Sequence, residues 1–179
     1  MSKLKKHIVS ATLTALFTAL AVVLSRFMSI NLWNMSIGFS FVPLMLCGAL
    51  LGPVWGGVCG ALTDFIGATL FPFGAYFPGF TVVAFLSGVF FGVVGLCGRK
   101  IPKTPIFLMA AAALLIVKET LCSLLLNSFW ISMLYGSEYG VIILSRLPLS
   151  VVTLVLEIVF AAICRASVIP AINKNKEHF

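Results

Sequence analysis

Charge is what this sequence has least of. Only 9% of its 179 residues are Asp, Glu, Lys or Arg, while 61% are hydrophobic. Soluble domains carry about 25% charged residues. A chain this poor in charge cannot clothe itself in solvated side chains, so it reads as an integral membrane protein of one domain, residues 1–179. It also lacks the alternating segments of about ten residues that build an outer-membrane barrel. Its apolar runs are continuous, which leaves helices as the spanning elements.

Other shortages exclude chemistry. The cysteines, Cys47, Cys59, Cys97, Cys122 and Cys164, stand singly, with no C-x-x-C pair and neither histidine beside one. That argues against a disulfide framework or a metal site and for small apolar packing residues. No phosphate-binding G-x-x-x-x-G-K-[ST], no HExxH and no GxSxG is present. His7 and His178 are both terminal, so no Ser/His couple lies within the apolar runs. No cofactor is expected, and an enzyme has little to stand on. The net charge of +7 falls in short segments between apolar runs, the signature of membrane topology rather than of a nucleic-acid surface.

What is present is a row of apolar segments. Turn and charge signals divide them into helices over about residues 8–25, 35–51, 54–70, 80–97, 106–134 and 141–169. The Ala19-Leu20-Ala21 cleavage look-alike is read as part of a retained first helix. Trp33 is an interfacial anchor in the first connection, and Pro170 is expected to close the last helix. The N-terminus, the Arg99–Lys103 turn and the C-terminal tail hold Lys3, Lys5, Lys6, Arg99, Lys100, Lys103, Lys174 and Lys176. The opposite loops hold no Lys or Arg and one acid, Glu138. The expectation is an all-α integral membrane protein, a six-transmembrane-helix bundle with both termini cytoplasmic.

Few residues in these spans have chemistry to offer. Arg26 and Arg146 fall at similar depth near the outer face. Either they snorkel to headgroups, or they fork onto the carboxylates of a ligand. Asp64, Lys118, Glu119 and Glu157 lie mid-membrane. They form internal ion pairs around Lys118, or they line a polar pocket or proton path. Asn127 and Trp130, with Tyr135 and Tyr139, make an aromatic belt or a stacking wall. Small residues recur four apart at Gly48/Gly52/Gly56/Gly60, at Gly88/Gly92 and at Ala11/Ala15/Ala19. Such stripes let helices approach closely. The glycines are read as packing within the bundle. The alanine stripe, flanked by Ser10, Thr14 and Thr18, is either packing or a docking face for another membrane protein.

The densest region runs from Leu51 to Phe80, GPVWGGVCGALTDFIGATLFPFGAYFPGF after its first leucine. With the following AFLSG, and with the later NSFWISMLYG and SRLP, it resembles the substrate-binding (S) components of energy-coupling-factor (ECF) vitamin transporters, the folate-specific members most of all. The resemblance spans about residues 10–165. It implies a bundle that binds folate with high affinity from outside the bacterial plasma membrane. It also implies assembly with a transmembrane coupling subunit and two cytoplasmic ATPases, which supply the missing ATP chemistry. Ala11, Ala15 and Ala19 would then meet the coupling subunit, and residues 71–79 would cover the external site. Folate has two carboxylates for Arg26 and Arg146, and flat rings for Phe73, Tyr76, Phe77 and Trp130. Asn127 and Asp64 are candidates for the pterin edge, and Lys118 for a place beneath the ligand. Other readings are an S component for riboflavin or pantothenate, and an independent secondary transporter working through Asp64, Glu119 and Glu157.

Overall fold

The structure is a computed structural model that describes residues 3–32, 35–72 and 76–174. Trp33 and Phe73 lie outside the described residues. The first helix, α1, runs Lys3–Phe27, and a short antiparallel hairpin follows, β1 (Ser29–Leu32) and β2 (Met35–Gly38). Next come α2 (Phe41–Leu51), α3 (Pro53–Leu70), α4 (Pro78–Lys100) and α5 (Thr104–Lys118). A π-helical segment, Glu119–Asn127, carries α5 without a break into α6 (Ser128–Tyr135). The last helix, α7, runs Tyr139–Lys174.

Among the described residues, four stretches are long and apolar enough to cross a membrane: Leu4–Phe27, Pro78–Lys100, Thr104–Tyr135 and Tyr139–Val168. Phe41–Leu51 is a shorter apolar helix. The molecule is apolar outside and charged inside. Val141, Leu144, Val151, Val155, Val159 and Ile163 face outward along α7, whereas Lys118, Glu119, Arg146 and Glu157 are buried. That inversion suits lipid, where apolar surface needs no cover.

Breakers set the helix ends. Gly52 takes φ +97°, a backbone open to glycine, and Pro53 starts α3 at the position where a missing N–H is harmless. Pro78 and Pro105 likewise stand in the first turns of α4 and α5. The second helix begins at Phe41, not near residue 35 as the apolar run suggests. Residues 35–38 pair instead as a strand, Ile30 with Ile37 and Asn31 with Ser36. Pro170 does not close α7, which continues to Lys174. A proline inside a helix removes one N–H bond and frees the carbonyl four residues back. At Pro170 this falls in the last turns, on an exposed face. Pro148 does the same further up the helix.

Two kinds of contact hold the helices together. Glycine brings backbones into touch between α2, α3 and α4. A Cβ on Gly56 would lie 2.6 Å from the Gly88 carbonyl oxygen, and one on Gly48 would lie 2.7 Å from the Gly92 Cα. Arginine closes the end of the bundle near Gly52. The Arg99 guanidinium donates to the carbonyls of Ala49 and Leu50, the latter at 2.8 Å, at the C-terminus of α2. Arg165 on α7 donates to the carbonyls of Gly98, Ile101 (2.8 Å) and Pro102 (3.0 Å). Helix C-termini leave carbonyls without partners and carry partial negative charge, so both arginines act as caps from neighbouring helices. The hairpin and the start of α7 occupy the other end.

Candidate functional site

Near the hairpin end the helices separate around a cavity of about 260 Å³. Its walls come from five parts of the chain. Ser25, Ser29, Gly38 and Ser40 flank it from the end of α1 and the hairpin, Phe41 and Leu44 from α2, and Ser87 and Phe91 from α4. Lys118 and the π segment contribute Glu119, Cys122, Ser123 and Asn127, and α7 contributes Arg146, Thr153 and Glu157.

The π segment explains why one element supplies so much of the wall. In an α-helix of 3.6 residues per turn, positions four apart drift around the axis by about 40° each step. A π turn takes in more residues, so the drift nearly cancels. Glu119, Ser123 and Asn127 therefore keep to one face, and all three line the cavity.

The floor is a buried ion cluster. The Lys118 ammonium lies 2.7 Å from a Glu119 oxygen and donates to Glu157 Oε1 at 2.5 Å. Lys118 and Glu119 are each 5% exposed, and Glu157 is 1% exposed. Lys118 thus pairs with two acids and also lines the cavity. The ammonium also stands 5.1 Å from the centre of the Phe91 ring. Arg146, 5% exposed, feels the charge of Glu119. Among the described residues, Glu157 Oε2, Ser128 Oγ, Ser150 Oγ and Trp130 Nε1 are buried without a hydrogen-bond partner.

Arg26 and Asp64 stand elsewhere. A Cβ on Gly67 would meet Arg26 Nε and Nη2 at 2.7 Å, so the guanidinium turns that edge toward the α3 backbone. It feels the charge of Asp64. Asp64 accepts a hydrogen bond from Thr81 Oγ1 at 2.7 Å, and Thr81 in turn meets the Tyr76 hydroxyl at 3.1 Å. The two arginines thus face different acids, and only Arg146 borders the cavity.

Trp130 and Phe77 face each other with ring centres 5.1 Å apart. Trp130 also lies against Gly79, where a Cβ would come within 2.6 Å of the indole. The indole thus bridges α6 and the start of α4, beside the cavity and not on its lining. Tyr76 is exposed, with its ring 5.9 Å from that of Phe65.

Ala11, Ala15 and Ala19 are exposed along α1. Their neighbours Thr14 and Thr18 are buried on another side of the helix, against Cys47 (3.9 Å) and Cys59 (3.5 Å). The hydroxyl row and the alanine row therefore do not form one face.

Sequence reasoning placed Lys118, Asn127 and Arg146 among the site residues, and the cavity brings these three together. It gave Glu119 and Glu157 either ion pairing or a place in a polar pocket, and it did not assign Ser87, Ser123 or the hairpin flank to the site. The flank had a readable signal, the polar–apolar alternation Ser29-Ile30-Asn31-Leu32, which is a strand pattern. Ser87 and Ser123 carry no such signal, because single serines are common in membrane helices.

Comparison with known proteins follows the same lines. Residues 5–172 match the family model for the ECF-type riboflavin transporter, S component. The folate transporter FolT of Clostridium novyi is 35% identical over 133 residues, 74% of each chain. That of Leuconostoc mesenteroides is 32% identical over 127 residues, 71% of this chain and 65% of the relative. A crystal structure of FolT bound with folic acid superposes with a TM-score of 0.77 at 28% identity, covering 89% of this chain and 96% of that one. With a family model spanning nearly the whole sequence and relatives above 30% identity, the chain belongs to the ECF-type S components, and the folate transporters are among its relatives.

Proposed function

We propose that this protein captures folate from outside a bacterial plasma membrane and serves as the S component of an ATP-driven ECF importer. The observation that carries the reading is the polar cavity at the hairpin end, walled by Lys118, Asn127 and Arg146, in a fold like that of a folic-acid-bound FolT. Exclusion of Lys and Arg from the loops at that end, Arg26 and Arg146 apart, supports an outward-facing cavity and cytoplasmic termini under the positive-inside rule. In this topology all six apolar segments cross the bilayer, with α2 and α3 as the shorter pair.

In this reading the rings of the ligand lie against Phe91, and one carboxylate meets the Arg146 fork. Phe77, Tyr76 and Trp130, with the segment containing Phe73, close the cavity after entry. Arg26 and Asp64 brace α1 against α3 beside the mouth, where a long anionic tail meets Arg26 second. The exposed Ala11–Ala15–Ala19 row offers a smooth surface to a coupling subunit, because small residues allow close helix approach. Two cytoplasmic ATPases supply the energy.

Titrating the purified protein in detergent with folic acid, riboflavin and pantothenate, read by tryptophan fluorescence, tests the proposal. Saturable binding of folic acid alone is expected. The family model is named for riboflavin, so a riboflavin response without a folate response would replace the ligand while leaving the importer class. Uptake by cells lacking the ATPase partners would instead make the chain an independent transporter.

A further inference from the structure

Two of the five cysteines form a pair that the cavity does not use. Cys47 on α2 and Cys59 on α3 are each 0% exposed, and their thiols interact directly with each other. Cys47 stands five residues before Gly52 and Cys59 seven after it. At 1.5 Å per residue they lie roughly 8 and 10 Å from that turn, at nearly one level of an antiparallel helix pair. Glycine brings the two backbones close beside them, since a Cβ on Gly56 would lie 3.1 Å from the Gly48 Cα. A disulfide needs Cα atoms within about 7 Å, whereas packed helices keep their axes about 8–10 Å apart. The glycine contact supplies the approach that such a bond requires.

Hydrogen bonds give the two sulfurs different roles. Cys59 Sγ accepts from Thr18 Oγ1 at 3.5 Å. Cys47 Sγ donates to the Trp55 carbonyl at 3.7 Å, and Thr14 Oγ1 stands 3.9 Å from it. The remaining cysteines are placed otherwise. Cys122 lines the cavity with Lys118 and Glu119, while Cys97 and Cys164 lie on α4 and α7.

We propose that Cys47 and Cys59 are a peroxide-sensitive dithiol, a site of reversible oxidation at which one disulfide staples α2 to α3. Cys59, the sulfur that accepts, reacts first. It attacks one oxygen of hydrogen peroxide and the O–O bond breaks. Cys59 becomes a sulfenic acid, and the departing hydroxide takes the thiol proton as water. The Cys47 sulfur then attacks the Cys59 sulfur. The S–O bond breaks, and this hydroxide takes the Cys47 proton as a second water. Two thiols and one peroxide give one disulfide and two waters, with sulfur losing the two electrons that the peroxide gains.

The seam between α1, α2 and α3 suits this chemistry because the reaction leaves no charge in it. Thiols and disulfide are both neutral, whereas oxidation of a single cysteine to its acids would strand a charge among apolar helices. A second thiol in contact takes up the sulfenic acid before that can happen. Hydrogen peroxide is small and uncharged. Its way in is past α1, which covers the pair through Thr14 and Thr18 while Ala15, Leu16 and Ala19 face outward. In the topology proposed above the Gly52 turn faces the cytoplasm. Thiols there are kept reduced, and the disulfides that do form are transient, redox-sensing ones. The pair is therefore a dithiol at rest.

Treating the full-length protein in detergent with hydrogen peroxide, at a dose that consumes free cysteine in the same buffer, tests the assignment. After quenching and denaturation, free thiols are counted by maleimide mass tagging and the linkage is mapped by peptide mass spectrometry. The unaltered protein should fall from five free thiols to three, with one bond joining Cys47 to Cys59, and dithiothreitol should restore all five. Cys122→Ser should form the same bond. In Cys47→Ser, dimedone should trap Cys59 as its sulfenic acid, whereas in Cys59→Ser the Cys47 thiol should survive. Five surviving thiols in the unaltered protein overturn the inference, as do bonds between molecules or a bond that takes in Cys97, Cys122 or Cys164. Trapping at Cys47 and not at Cys59 overturns the order of reaction. The unaltered protein by itself shows whether the pair forms, so a variant that does not fold leaves the test in force. None of these outcomes bears on folate binding.

Discussion

The two sides of this bundle solve opposite problems with different residues. Between α2, α3 and α4 the sequence removes side chains, so that Gly56 meets Gly88 and Gly48 meets Gly92 backbone to backbone. Between α4, the α5–π–α6 rod and α7 it spends charge and irregular winding to hold helices apart around a polar cavity. Tight backbone contact gives a rigid frame, and against such a frame a cavity can keep its shape. In lipid, where no hydrophobic gain drives helices together, close packing is the main source of such rigidity. The comparison teaches that polar and glycine-rich positions divide the labour, one side for cohesion and the other for recognition.

The largest effect should come from removing Lys118. Lys118→Met leaves Glu119 and Glu157 buried with no ammonium between them, and breaking one partner of a buried pair costs about 3–5 kcal/mol. Thermal unfolding in detergent should shift strongly downward, and folate binding should be lost. Adding Glu157→Leu to Lys118→Met should recover part of the stability and none of the binding. Full recovery of binding would mean that the cluster serves only the fold.

Next comes a break on the cohesive side. A Cβ at Gly56 would press on the Gly88 carbonyl oxygen at 2.6 Å, and backbone cannot yield as a side chain can. Gly56→Val should destabilise by about 1–3 kcal/mol, the usual range for overpacking. Gly140→Ala, with nothing within 4 Å of the added carbon, should stay within about 0.5 kcal/mol. A comparable loss at both positions would remove the distinction between a packed side and an open one.

The two arginines sharpen the contrast on the recognition side. Arg146→Ala should weaken folate binding more than tenfold, since a charge-assisted fork to a carboxylate is lost at the cavity wall. Arg26→Ala should weaken it less, because that guanidinium lies against Gly67 and near Asp64. Equal losses, measured by the same titration, would show that the tail reaches both.

How much of this was legible in the sequence follows the same division. The glycine rows at four-residue spacing announced close packing, and the structure puts all of them but Gly52 in contact with a neighbouring helix. Composition announced buried charges, because acids within apolar runs have nowhere else to go. It did not announce their grouping. Arg26 and Arg146 share a depth along the chain, yet depth says nothing about which helix face a residue takes. The α-to-π change at Glu119 also left no mark, since Glu119–Asn127 reads as ordinary apolar helix. The hairpin was hidden by length: Met35–Gly38 adjoins an apolar helix and was absorbed into it.

The smallest effect on the isolated protein should come from the alanine row. Thr14 and Thr18 are 2% and 3% exposed and sit against Cys47 and Cys59. Ala11, Ala15 and Ala19 are exposed along the same helix. If that row only faces lipid, a larger apolar side chain is as acceptable as Leu16 or Leu20, which are also exposed. Ala15→Leu should therefore leave folate affinity unchanged and stability within about 0.5 kcal/mol. A coupling subunit lying along the row would instead be pushed away, because small residues set the approach distance of the two helices. Folate uptake by the assembled importer should then fall while binding by the S component persists. Uptake that survives Ala15→Leu would return the row to lipid. Binding that falls with it would make the row part of the bundle's own packing.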